Sequence, residues 1–263
     1  MMAASARGRK VIAFAQGLRA RITLSAAVGY AAGGATAYAL KAFYSGANAE
    51  QLRWVLAPTC WLAGGLTGMT FIDEAGAGVI SHADRLVVGA ACSGLNFLIV
   101  CFATLFFSFA RRWRGLGARL GWLVASLAVA YGATIATNAV RVVLAARLYH
   151  LDIYGDLLTA ARLHRLMGTF LYCASLVTLF QIAQSRFVRP PSTTRWRVFE
   201  TAGLPLGWYL AVALLVPLVR RPTRPFEGRL AEHVVTVVGT VVLVMGGTVI
   251  ARTVANRIKS RQG

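Results

Sequence analysis

Residues 89–114 read GAACSGLNFLIVCFATLFFSFARRWR. Between Leu95 and Ala110 the polar residues are Asn96, Thr104 and Ser108, and none of the sixteen is charged. Three arginines then arrive within four positions, Arg111, Arg112 and Arg114. A helix that crosses a bilayer needs about 20 predominantly apolar residues, because the hydrocarbon core is roughly 30 Å thick. Arginines beside its end set its orientation. The stretch therefore predicts a membrane-spanning helix over 94–110, with Cys92 at its mouth between small residues.

The rest of the chain has the same character. Of 263 residues 57% are hydrophobic and 14% charged, and the mean hydropathy is +0.61. A soluble domain of this length carries about one quarter charged residues. The net charge of +19 does not indicate nucleic acid, since the basic residues punctuate apolar blocks instead of forming one face or tail. In a membrane protein such clusters report orientation and attraction to anionic headgroups of the lipid bilayer. Cys60, Cys92, Cys101 and Cys173 are too few and too scattered for a disulfide framework. No Cys-x-x-Cys or Cys/His spacing for a metal occurs, and no cofactor is implied.

Hydropathy places spans at about 22–40, 94–110, 120–139, 165–184, 203–219 and 233–251. A seventh apolar piece, LRWVLAPTCWLAGGLTGMTF (52–71), holds Pro58, Gly64, Gly65 and Gly68, which are poor residues for a helix interior. If that piece lies in the interface without crossing, 17 of the 28 basic residues and one acid, Glu200, face the cytoplasm. If it crosses, the N-terminal basic cluster changes sides while the others stay. The positive-inside rule favours the first arrangement, with both termini cytoplasmic. A signal peptide ending near ATAYA (35–39) is the alternative for the first span, although its polar leader would be unusually long. GVISHADRLVVG (78–89) has short β-prone runs around a polar tip and predicts a hairpin leading into Cys92. The expected fold class is all-α: a polytopic membrane helix bundle of about six transmembrane helices, one interfacial or re-entrant segment and a small extracytoplasmic hairpin, in a single integral membrane domain over 1–263.

Three positions on the non-cytoplasmic side invite chemistry. Cys92 is flanked by Ser93 and Gly94, which leave the sulfur open, and it sits near the first turn of a helix, whose partial positive charge favours thiolate. The bland alternative is a small hydrophobe at a helix start. Asn138 and Arg141, in TNAVRVVLAARL (137–148), are three apart and share a helical face. Arg141 as an interfacial snorkeller needs no function, yet the apolar sequence continues beyond it, and an arginine in apolar surroundings is a functional hypothesis. His164 and Gly168, in RLHRLMGTFLYCASL (162–176), are four apart, and Gly168 lets another helix approach. His164 alone is an ordinary interfacial histidine. Short connections in an antiparallel bundle bring the three span ends together, and a thiol, an imidazole and a guanidinium within reach make a covalent catalyst.

ACSGLNF, NAVR and HRLMG, in this order and at span ends, resemble the motifs of the exosortase/archaeosortase family of membrane transpeptidases. GAGVISHADRLVVGAACSGLNFLI is similar to its short exosortase K-type branch in particular. The resemblance covers about 20–185, and the two additional C-terminal helices, about 203–251, add little to it. It implies a cysteine transpeptidase at the outer face of the cytoplasmic membrane. The implied partners are exported protein substrates with a C-terminal signal (a short motif, a transmembrane helix and a basic tail) and an envelope acceptor molecule. Carried over by position, Cys92 is the nucleophile, Arg141 the charge stabiliser and His164 the acid/base; Asn138 is a supporting neighbour on the helical-face argument alone.

Other readings stay open on the sequence. A protease with the same residues would use water as acceptor. A transporter would place carboxylates at mid-membrane depth, whereas all nine acids fall in loops or at span ends. A passive scaffold would tolerate loss of all three side chains. A glycosyl-transferring or polymerising enzyme would draw on Asp73, Glu74, Asp152 and Asp156. The basic loop RRPTRPFEGR (220–229) is either solvated or set against anionic headgroups or polymer.

Overall fold

The structure is a computed structural model that describes residues 24–149, 155, 159–187, 202–211 and 227–262. It is mostly helical. The helices are α1 (Leu24–Gly46), α2 (Arg53–Thr67), α3 (Leu95–Phe109), α4 (Leu116–Tyr149), α5 (Ala160–Phe187), α6 (Leu204–Leu210) and α7 (Glu227–Gln262). Between α2 and α3 lies an antiparallel sheet of β1 (Ile72–Glu74), β2 (Gly78–Ser81) and β3 (Leu86–Val88), in the order β1-β2-β3.

The opening stretch forms the centre. Helix α3 is apolar all round, which in a bundle means burial all round, and twelve of its fifteen residues are buried. It packs against α1, α4, α5 and α6. Gly33 of α1 meets it closely: a Cβ there would fall 2.1 Å from the Phe106 ring. A single-turn 3-10 segment, Ala110–Arg112, continues α3 at its C-terminal end, and another, Ala90–Cys92, precedes it, set off by Ser93 and Gly94.

Among the described residues three helical stretches are long and apolar enough to cross a membrane: Ala90–Arg112, Leu116–Tyr149 and Arg162–Phe187. The first is 72% buried within the protein, the others only 22% and 28%. Apolar side chains such as Val124, Leu144, Phe170 and Ile182 consequently face outward. Helices this apolar and this exposed are solvated by lipid, so the chain is a membrane protein. Val234–Ile250 in α7 is apolar but shorter; the expected spans at 22–40, 203–219 and 233–251 do not reach the same standard over the described residues. Positions 212–219 and the basic loop at 220–226 lie outside them, as do Asp152 and Asp156.

Three expectations change in detail. The span over 120–139 is part of a 34-residue helix, about 50 Å long at 1.5 Å per residue. Its C-terminal third, AVRVVLAARLY (139–149), contains no Gly or Pro, so nothing ends the helix at the expected 139. The ambiguous 52–71 piece forms α2, fifteen residues with Pro58 inside, closed by Gly68 in the left-handed region (φ 78°). At about 22 Å it is shorter than a hydrocarbon core. The hairpin at 78–89 is present as β2 and β3, with register Val79 to Val88 and Ser81 to Leu86. A third strand, β1, had no sequence signal, because Asp and Glu are weak strand residues. It is tethered from outside: Asp73 pairs with Arg53 at 2.6 Å, and Glu74 Oε1 lies 2.6 Å from His82 Nε2.

Candidate active site

Cys92 closes the 3-10 turn, its N–H donating to the Gly89 carbonyl at 2.9 Å. Gly94 follows in the left-handed region (φ 69°) and acts as N-cap of α3. The cysteine thus stands three residues ahead of the helix, near its first turn but on a 3-10 turn of its own. Of the four cysteines, Cys60, Cys101 and Cys173 are buried and Cys92 is half-buried. Burial also pushes the Cys60 thiol up to about 12, which keeps it protonated and unreactive at neutral pH.

Asn138 on α4 fastens this turn in place. It is 1% exposed, and its Nδ2 donates to the Ser93 carbonyl at 2.6 Å and to the Cys92 carbonyl at 3.2 Å. Its Oδ1 accepts from the Tyr172 hydroxyl at 2.6 Å. Gly94 leaves room for the amide, since a Cβ there would lie 2.3 Å from Asn138 Nδ2.

Arg141 stands one turn further along the same face of α4. Its Nη1 donates to the Tyr172 hydroxyl at 2.9 Å, and its Nη2 lies 2.7 Å from His164 Nε2. The guanidinium also sits over the Tyr172 ring, 5.4 Å from the centroid. Arginine can only donate, so His164 Nε2 must accept here, which places the imidazole proton on Nδ1 in a neutral ring. Gly168 lies against the arginine stem, where a Cβ would come 2.9 Å from Nε. Neither of the two described ion pairs involves Arg141, so no described carboxylate neutralises its charge.

Cys92, Asn138, Arg141 and His164 line one cavity of about 290 Å³. The β2–β3 turn and β3 form its far wall through Asp84 to Val88. Ser93 is fully buried with its hydroxyl unpartnered, and it does not line the cavity. Asp73 and Glu74 lie elsewhere, tied up in their pairs.

Tyr172 is the residue that sequence reasoning passed over. Its hydroxyl joins Asn138 to Arg141, and its ring stacks on Phe97 of α3 at 4.6 Å. One signal was available: His164, Gly168 and Tyr172 recur every four residues, so they share one face of α5. A tyrosine in an apolar helix otherwise reads as core or interface.

The arrangement gathers a thiol, a guanidinium and a neutral imidazole around one largely apolar cavity. Such a set can stabilise a thiolate or an oxyanion and move a proton. Compared with family models, curated proteins and solved structures, the chain matches none.

Proposed function

We infer that this protein is a membrane-embedded cysteine transpeptidase that cleaves a C-terminal sorting signal from exported proteins. The observation that carries the reading is the meeting of Cys92, Arg141 and His164, from three separate elements, around one cavity. The resemblance of ACSGLNF, NAVR and HRLMG to exosortases points the same way.

In the proposed reaction the Cys92 thiol passes its proton to the neutral His164, and the sulfur adds to a backbone carbonyl of the substrate. Arg141 faces the negative charge, first on sulfur and then on the tetrahedral oxygen. The C–N bond breaks, the amine of the departing C-terminal segment takes a proton from His164, and a thioester remains on Cys92. An amine or hydroxyl of the envelope acceptor then adds to the thioester and gives its proton to His164, and the C–S bond breaks to restore the thiolate. Water in the acceptor's place yields hydrolysis by the same steps.

The proposal includes a topology. Both termini face the cytoplasm, α2 lies in the interface without crossing, and the cavity opens on the extracytoplasmic side of the cytoplasmic membrane. Arg119 and Arg141 are 22 residues apart on α4, roughly 33 Å along the axis, which matches one arginine at each boundary of a hydrocarbon core of about 30 Å.

The test is a comparison of membrane and envelope proteins from cells carrying the wild-type chain or Cys92→Ala, read by mass spectrometry of C-terminal peptides. Proteins ending in a helix and a basic tail should keep that tail in the variant and lose it in the wild type. Identical C-termini in the two strains would sink the reading.

A further inference from the structure

The far wall of the cavity differs in kind from the helical side. Leu86, Val87 and Val88 are consecutive residues of β3, and all three line the cavity. Successive side chains of a strand point to opposite faces, and burial follows that alternation, with Val88 at 1% exposure and Val87 at 54%. A cavity that touches residues of both parities cannot lie on one face of the sheet. It runs along the strand's edge.

That edge is open. The sheet order is β1-β2-β3, and among the described residues β3 pairs with β2 alone. An edge strand offers unpaired main-chain N–H and C=O groups on its free side, and here that side faces the cleft. Val88 is four residues before Cys92, joined through Gly89 and the 3-10 turn. Arg85, on the turn at the cavity rim, has φ 52°, the one positive φ outside glycine among the described residues. Such a conformation is costly and persists where surrounding structure imposes it. The neighbouring bond from Ser81 Oγ to Asp84 Oδ2, 2.7 Å, is part of that frame.

We propose that the substrate binds as an extended peptide that adds a fourth strand to the free edge of β3, with its scissile carbonyl carried to Cys92. The proposal rests on the transpeptidase reading and specifies how that site takes its substrate. Strand addition draws affinity from main-chain hydrogen bonds and selects side chains by the pockets they enter. The apolar residues across the cleft, Val142, Ala146 and Met167, would select a small or apolar side chain near the scissile bond. A folded or helical segment has no free main-chain groups for this edge, so the recognised segment must be unstructured where it leaves the membrane.

The full-length protein in detergent, a tetra-alanine chloromethyl ketone and iodoacetamide provide the test. Each reagent forms a bond to the Cys92 sulfur with loss of halide, and each rate is normalised to that of glutathione. Two further ketones carry N-methyl groups on alternate amides, one set per compound. In a β ladder only every second residue points its amide at a given neighbour. One methylated set should therefore lower the tetra-alanine rate about tenfold, through two lost main-chain hydrogen bonds. The other set should leave it within about twofold. Equal rates for all three peptides, or an equal fall for both methylated sets, would overturn strand addition. Failure of iodoacetamide to prefer Cys92 over Cys60 would instead remove the nucleophile, and with it the parent reading.

Discussion

Tyr172 joins two jobs that the sequence presents as separate. Its hydroxyl fixes Asn138, which holds the Cys92 turn, and it also orients Arg141, which meets His164. Tyr172→Phe keeps the ring stacked on Phe97 but deprives both partners of a bond, at about 1–3 kcal/mol. We expect Cys92 alkylation to slow roughly tenfold at neutral pH. An unchanged neutral rate would show that the hydroxyl does not position the arginine. Gly94 is constrained twice, by φ 69° and by the amide of Asn138 against it. Gly94→Ala adds left-handed strain and displaces that amide, a loss of about 2–4 kcal/mol. Thermal unfolding in detergent should begin several degrees lower, and an unaltered midpoint would contradict the packing described. At this scale the sequence offered the reacting residue types but not their links. Cys92, Arg141 and His164 stand out as costly or reactive groups near span ends, whereas Tyr172 is ordinary until the fold puts its hydroxyl between two others.

Elements were legible in proportion to how far their own residues decide them. Helix α3 matches its expected 94–110 to within a residue, because small residues and arginines bound an uninterrupted apolar run. The hairpin at 78–89 was legible from its β-branched runs and polar tip. The extent of α4 was not, since hydropathy marks where a helix leaves lipid and not where it stops being a helix. Strand β1 was not either, as it is held by Arg53 from α2, a contact made only in three dimensions. Helix α2 supplies the sharpest test at this scale. In the proposed topology α2, at about 22 Å, lies in the interface and should leave both of its flanks on one side of the membrane. Single cysteines at Gln51 and Ile72, in a chain lacking the native four, should both react with an impermeant maleimide from outside intact cells. Labelling of one from outside and the other only after lysis would mean that α2 crosses.

Across the whole molecule, burial and hydropathy are split between helices in a way that assigns each a role. The central α3 is buried in protein, while α4 and α5 turn apolar faces outward and keep Asn138, Arg141, His164 and Tyr172 inward. At the opposite end, Trp113 and Trp122 stack at 5.5 Å, with Phe187 edge-on to Trp113. The central claim is that Cys92 is an outward-facing nucleophile activated by a fixed cation. It is tested most directly by labelling intact cells with an impermeant maleimide from about pH 6 to about pH 9, around the ordinary thiol value of about 8.5. Wild type would be compared with Cys92→Ala, Arg141→Ala and His164→Ala. The account predicts that Cys92 alone labels and that Arg141→Ala slows its labelling. Labelling of Cys92 only after lysis, or a labelling rate indifferent to Arg141, would contradict it.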